Sequence, residues 1–164
     1  IGDVDRGWDA LMLSLQAEHS TGFSAHLVRL LDEAEAWATT AAGDGGPAPV
    51  VTEEVRERLM RWVTRLEVAQ LLEARTTWME VNGMVPVAEG PMAKMYGTEA
   101  MVDAAEDLTE LIGPDALRSR SDPDAVREGR IEHALRFSLG TTIYAGTSEI
   151  QRNIIAQRGC GLPR

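Results

Sequence analysis

A single cysteine, Cys160, leaves this 164-residue chain without any internal disulfide. No clustered Cys and His supply the spacing of a structural zinc site, and a reducing compartment, the cytoplasm, is the expectation. Aromatic residues make up only 5 %, while Leu, Ala, Val and Met abound beside Glu and Arg, which disfavours a sheet-rich fold and favours helices. Positive charge is also scarce. Sixteen basic residues against 26 acidic ones give a net charge of -10, which repels polyanions and excludes sequence-independent nucleic-acid binding. No apolar run approaches a membrane span, and the opening IGDVDRGWDA lacks the basic start and apolar stretch of a signal peptide. What is present, 44 % hydrophobic and 26 % charged residues, suits one globular domain with a full core.

Helical periodicity organises that domain. Trp8, Leu11, Met12, Leu15, Gly22, Phe23, Leu27, Leu30, Leu31 and Ala34 form one stripe, predicting a long helix from Arg6 to about Thr40. The Gly- and Pro-rich run 41–49 interrupts it. Thr52 before Glu53 and Glu54 predicts the start of a second helix, whose stripe runs through Val55, Leu59, Trp62, Val63, Leu66, Ala69 and Leu72 to about Val81. Asn82-Gly83 provides its C-cap. A third pattern opens at Gly90-Pro91, continues through Met92, Met95, Tyr96, Ala100, Met101, Ala104, Ala105, Leu108 and Leu111, and stops at Gly113-Pro114. Asp122-Pro123-Asp124 predicts a fourth helix over about Asp124 to Leu139. After an irregular stretch, Gly140 to Gly146, Thr147-Ser148-Glu149 caps a last helix ending near Arg158. The expected fold is all-α: an antiparallel up-and-down four-helix bundle with a short fifth C-terminal helix. Trp62, Trp78 and the methionines of the third helix read as core.

Glu18 lies on the inward stripe of the first helix, seven residues after Leu11. Apolar surroundings disfavour a carboxylate's charged form and raise its pKa, which makes it a useful base near neutral pH. The alternative is a glutamate at the stripe's edge, paired with an arginine from another segment. His19 beside it has no suitably spaced partner for metal ligation. The segment 143–152 joins a glycine-hinged turn to a helix start rich in hydroxyls and free amides, a place for ordinary capping or for a polar ligand.

Ile143-Tyr144-Ala145-Gly146-Thr147-Ser148-Glu149-Ile150-Gln151-Arg152 closely resembles the C-terminal signature of acyl-CoA dehydrogenases. Ala93-Lys94-Met95-Tyr96-Gly97-Thr98-Glu99 is similar to that family's Ala-Lys-x-x-x-(Ser/Thr)-Glu stretch, and residues 1–22 to the segment entering its first C-terminal helix. The resemblance runs through nearly the whole chain. It implies the C-terminal helical domain of an enzyme that also has an N-terminal helical domain and a middle β-domain. Such enzymes take a proton from the α-carbon of an acyl-CoA with a glutamate while hydride leaves the β-carbon for FAD, forming a 2-enoyl thioester.

One family position for the glutamate falls on Ala145, which has no proton acceptor; the other falls on Glu18, as in isovaleryl-CoA dehydrogenase-like members. The resemblance therefore implies Glu18 as the catalytic base, Thr147, Glu149 and Gly113 as FAD contacts, and Tyr144, Ala145 and Gly146 along the acyl pocket. His19 stands where arginine is common. The family's Arg-x-x-Phe-Gly motif is absent from the stretch around Glu33 to Gly46, and its Gln and Gly-Gly-Asn-Gly turn are replaced by Glu110 and Gly113-Pro114-Asp115-Ala116. Implied partners are an acyl-CoA substrate, electron-transfer flavoprotein or a similar acceptor, and related chains in a homo- or hetero-oligomer. On its own the 164-residue chain is expected to fold without retaining FAD or oxidising acyl-CoA. A non-catalytic structural or assembly subunit is the competing reading.

Overall fold

The computed structural model describes residues 2–8, 10–11, 14, 22–41 and 46–163. Five α-helices follow one another among the described residues from Ser24 onward: α1 Ser24–Thr39, α2 Glu53–Val81, α3 Glu89–Ile112, α4 Arg130–Thr141 and α5 Ser148–Ile154. No strand occurs among the described residues, and the architecture is the expected antiparallel bundle with its short last helix. α3 is the centre, packed against the other four. Its small residues Ala100, Ala104 and Ala105, with Met101 and Leu108, meet Leu27, Leu30, Leu31 and Ala34 of α1, Trp62 of α2 and Ile131 of α4 in one core. Alanines on α3 let the neighbouring helices approach, and the larger side chains fill the space between them.

Local signals place most ends. The Thr52 hydroxyl accepts from the Val55 amide at the start of α2. At its end, Gly83 takes φ +71° and the amides of Gly83 and Met84 return to the carbonyls of Glu80 and Met79, closing the last turn as a left-handed cap does. Gly113, at φ +88°, ends α3 before Pro114.

Two predicted helices differ from the observed ones. The stretch from Arg6 to Thr40 is not one helix: Gly22 leaves helical geometry with φ +23°, and α1 begins only at Ser24. Instead of a cap of its own, α1 borrows Glu73 of α2, whose two carboxylate oxygens accept from the Ser24 amide at 2.8 Å and the Ser24 hydroxyl at 2.6 Å. Trp8 and Leu11, expected on the inward stripe, are exposed. The fourth helix starts at Arg130, not Asp124, because Arg127, Glu128 and Gly129 all adopt positive φ. Trp62 is 4 % exposed as expected, but Trp78 is 60 % exposed and is not core.

Candidate functional site

The C-terminal signature forms a turn between α4 and α5, and α3 holds it from beneath. Lys94 is completely buried, and its Nζ donates to the Gly146 carbonyl at 2.7 Å. Gln151, also completely buried, donates from Nε2 to the Ala145 carbonyl at 2.8 Å and the Gly146 carbonyl at 3.4 Å. Two consecutive carbonyls are thus gripped from a helix below and from the helix that follows. The grip matters because both residues are left-handed: Ala145 has φ +54° and Gly146 φ +85°. An alanine in that region is strained. At Gly146 a Cβ would come within 2.7 Å of Gln151 Nε2, so glycine preserves the clamp. Burial lowers the Lys94 pKa from its ordinary value, with Glu99 and Glu149 pulling it partly back.

Tyr144, immediately before the clamped pair, is partly exposed and stacks on buried Phe23, with ring centroids 6.4 Å apart. Its hydroxyl pKa is raised by burial. Thr147 caps α5 by accepting from the Ile150 amide, and the exposed Glu149 carboxyl sits below its usual range because its own amide and the Thr147 hydroxyl bond to it. A carboxylate held ionised in this way is a poor base at neutral pH. Beside this turn lies a cavity of about 390 Å³ whose lining includes Glu99, Asp103, Thr147, Ser148, Glu149 and Arg152. Arg152 is engaged by Glu99 at 2.6 Å. Carboxylates outnumber cations here, so the lining favours an uncharged polar group and opposes a pyrophosphate.

The predicted site residues fall in two places. Tyr144, Ala145, Gly146, Thr147 and Glu149 come together at the start of α3, where Lys94 anchors them. Gly113 ends the same helix nineteen residues beyond Lys94, roughly 28 Å away at the usual helical rise. Glu18, the expected base, lies outside the described residues, as does His19. Among the described residues of the turn no side chain can take a proton at position 145. Residue pattern alone gives the clamp no functional role. Its signal was available: Lys94 shares the face of α3 that carries Gly97, Thr98, Met101, Ala105 and Leu108, all buried.

A family model described as acyl-CoA dehydrogenase, C-terminal domain, matches residues 5–160. The chain is 31 % identical to acyl-CoA dehydrogenase FadE26 of Mycobacterium tuberculosis over 169 residues, covering all of this chain and 42 % of that protein. It is 28 % identical over 160 residues to an L-prolyl-[peptidyl-carrier protein] dehydrogenase of Pseudomonas fluorescens, covering 96 % of this chain and 40 % of the relative. Among solved structures, the Tcur3481-Tcur3483 steroid ACAD superposes with a TM-score of 0.86 at 30 % identity, over 99 % of this chain and 41 % of that one. The ChsE4-ChsE5 complex from Mycobacterium tuberculosis gives a TM-score of 0.76 at 33 % identity, over 86 % of this chain and 36 % of that one. The FAD complex of PigA gives 0.82 at 27 % identity, over 99 % and 40 %. The chain thus spans less than half the length of the relatives it matches.

Proposed function

Because the chain belongs to the acyl-CoA dehydrogenase family, as its C-terminal helical domain, we propose that it completes an FAD-dependent enzyme that introduces the α,β double bond of an acyl-CoA thioester. The observation that carries this reading is the clamped turn: Lys94 and Gln151 hold the carbonyls of Ala145 and Gly146, both left-handed and Ala145 strained, directly after Tyr144 and beside an open polar cavity. Strain overdetermined by buried hydrogen bonds is a mark of a functional site. Thr147 and Glu149 offer the cofactor's flavin edge a hydroxyl and a helix start, while Gly113 at the far end of α3 serves the FAD of a neighbouring subunit. FAD, when bound, supplies the hydride acceptor.

The chain's own residues account for the remaining chemistry. Tyr144 on Phe23 forms an aromatic edge for the acyl group and shields the reacting carbon from water. Ala145 cannot remove the α-proton, and Glu149 is held ionised. The resemblance to isovaleryl-CoA dehydrogenase-like members assigns the base to Glu18, whose sequence position lies four residues before Gly22. The acyl-CoA substrate, an electron-transfer flavoprotein or similar acceptor, cytoplasmic residence and assembly with related chains belong to the same proposal. The relative solved as a ChsE4-ChsE5 complex supports the last of these, and exposed Trp78 offers an apolar contact for a neighbour.

Ala145 also favours a second reading, a non-catalytic assembly subunit that leaves chemistry to a related chain. Glu18→Gln in the intact flavoprotein separates the two. The substitution keeps shape and removes basicity, so flavin reduction by acyl-CoA in stopped-flow absorbance should slow by roughly a hundredfold to ten-thousandfold, with flavin content and melting temperature unchanged. Reduction at the parent rate overturns the assignment of Glu18 and favours the assembly reading.

A further inference from the structure

Away from the signature turn, a cavity of about 350 Å³ opens between α1 and α4, over Met101 of α3. Its character contradicts the chain's net charge of -10. Arg29, Arg120 and Arg130 line it with His26, His133 and Phe137, and the acidic groups on its wall are Asp32 and Glu33. Glu33 is already committed: Arg127 Nε and Arg130 Nη1 donate to its two oxygens at 2.8 and 2.7 Å, and these bonds outweigh burial in holding its carboxyl below the usual range. Arg130 is further held by Glu128 at 2.7 Å, and Asp32 sits exposed at the rim. Among the described residues, the side chains of Arg29 and Arg120 have no hydrogen bond or ion pair. Two guanidinium groups without a carboxylate partner among the described residues therefore border one cavity.

Backbone geometry keeps Arg120 there. Arg127, Glu128 and Gly129 make three successive left-handed residues, an arrangement that costs non-glycine residues free energy. It presses Gly129 onto the chain at Arg120, where a Cβ would come within 2.5 Å of the Arg120 amide nitrogen. The same turn delivers Arg127 and Arg130 to Glu33, so that they neutralise the carboxylate and leave the other two arginines to the cavity. Burial, and then the charge of Arg29, lower the His26 pKa, so at neutral pH this imidazole is an uncharged hydrogen-bonding wall. His26 is kept in place by Phe137, whose ring lies 4.7 Å from it, centroid to centroid.

We propose that the cavity between α1 and α4 binds a phosphoryl group, with Arg29 and Arg120 as its charge partners. A phosphoryl dianion matches these two guanidinium charges, and planar forks of N–H donors engage its oxygens in pairs. The group could arrive as inorganic phosphate or on a nucleotide, and the chemistry at the arginines is the same. The site does not depend on the acyl-CoA dehydrogenase reading.

Calorimetric titration of the 164-residue chain with sodium pyrophosphate at low ionic strength, with chloride of equal ionic strength as control, tests it. One saturable site is expected. The double variant Arg29→Ala/Arg120→Ala, both side chains being exposed and outside the core, should keep its circular dichroism and bind at least tenfold more weakly. The His26 imidazole resonance should move in parallel with the heat. ADP binding more tightly than pyrophosphate assigns a nucleotide as the source; equal or weaker binding assigns the inorganic anion. No saturable heat, or equal affinity in the folded double variant, overturns the proposal.

Discussion

Replacing Asp107 by alanine should remove the strongest polar tie between α2 and α3. Its Oδ1 accepts from Arg58 Nε at 3.1 Å and Nη2 at 2.7 Å, its Oδ2 accepts from Trp62 Nε1 at 2.6 Å, and Arg58 Nη2 also reaches its backbone carbonyl at 2.9 Å. The two charged side chains are only 13 % and 19 % exposed. Breaking a buried pair by deleting one partner costs about 3 to 5 kcal/mol. Residual exposure and the second-rank partners of Arg58, Glu54 at 3.4 Å and Glu110 at 3.8 Å, place the loss at the low end, about 3 kcal/mol. In a domain of this size that corresponds to a melting temperature lower by about 6 to 12 °C.

Asp107→Asn keeps an acceptor for Trp62 and should cost less than alanine. Burial alone would raise the Asp107 pKa, but the bonds from Arg58 and Trp62 outweigh it and the net shift is downward. The tie therefore contributes its full stability above the unfolded carboxyl value, about 3.9, and loses it as pH falls through the lower folded value. Urea unfolding followed by helical circular dichroism, at pH 7 and at a series of acid pH values, measures both effects. A loss below about 0.5 kcal/mol, the scale of an ordinary surface substitution, or a difference between parent and variant that does not shrink in acid, would refute the reasoning.

Gly129→Ala must place a Cβ 2.5 Å from the Arg120 nitrogen at φ +68°, and left-handed geometry plus overpacking should cost about 2 to 4 kcal/mol in urea unfolding; a neutral result would mean that the 119–129 contact is not formed. Lys94 has its pKa lowered by burial, so between its folded value and the unfolded value of about 10.4 the unfolded chain binds more protons and stability rises with pH. Lys94→Met should abolish that alkaline rise in urea midpoints, and an unchanged slope would show that Lys94 is not the group responsible.

Elements governed by neighbours in the chain were legible from residues alone. The Thr52 cap, the Asn82-Gly83 stop, the Gly113-Pro114 boundary and the Thr147 cap all appear where the sequence predicts them, because a capping hydroxyl or a left-handed glycine acts within four residues of itself. Composition and periodicity likewise specified an all-helical bundle, and the C-terminal signature pointed to the family. The stripe through Leu27, Leu30, Leu31 and Ala34 specified the buried face of α1.

Tertiary structure decided what depends on groups far apart in the chain. The start of α1 rests on Glu73, forty-nine residues away from Ser24, and no local residue announces that cap. The late start of α4 follows from a left-handed turn at Arg127 and Glu128, residues whose own preferences are helical and whose conformation goes with the reach of Arg127 and Arg130 to Glu33. Periodicity could place Lys94 on a buried face but could not supply the Gly146 carbonyl, fifty-two residues on, that lets its charge be buried there. Trp62 and Trp78 look alike in sequence, yet one is core and the other exposed. Burial belongs to the packing of all the helices together, whereas a turn or a cap belongs to the few residues that make it.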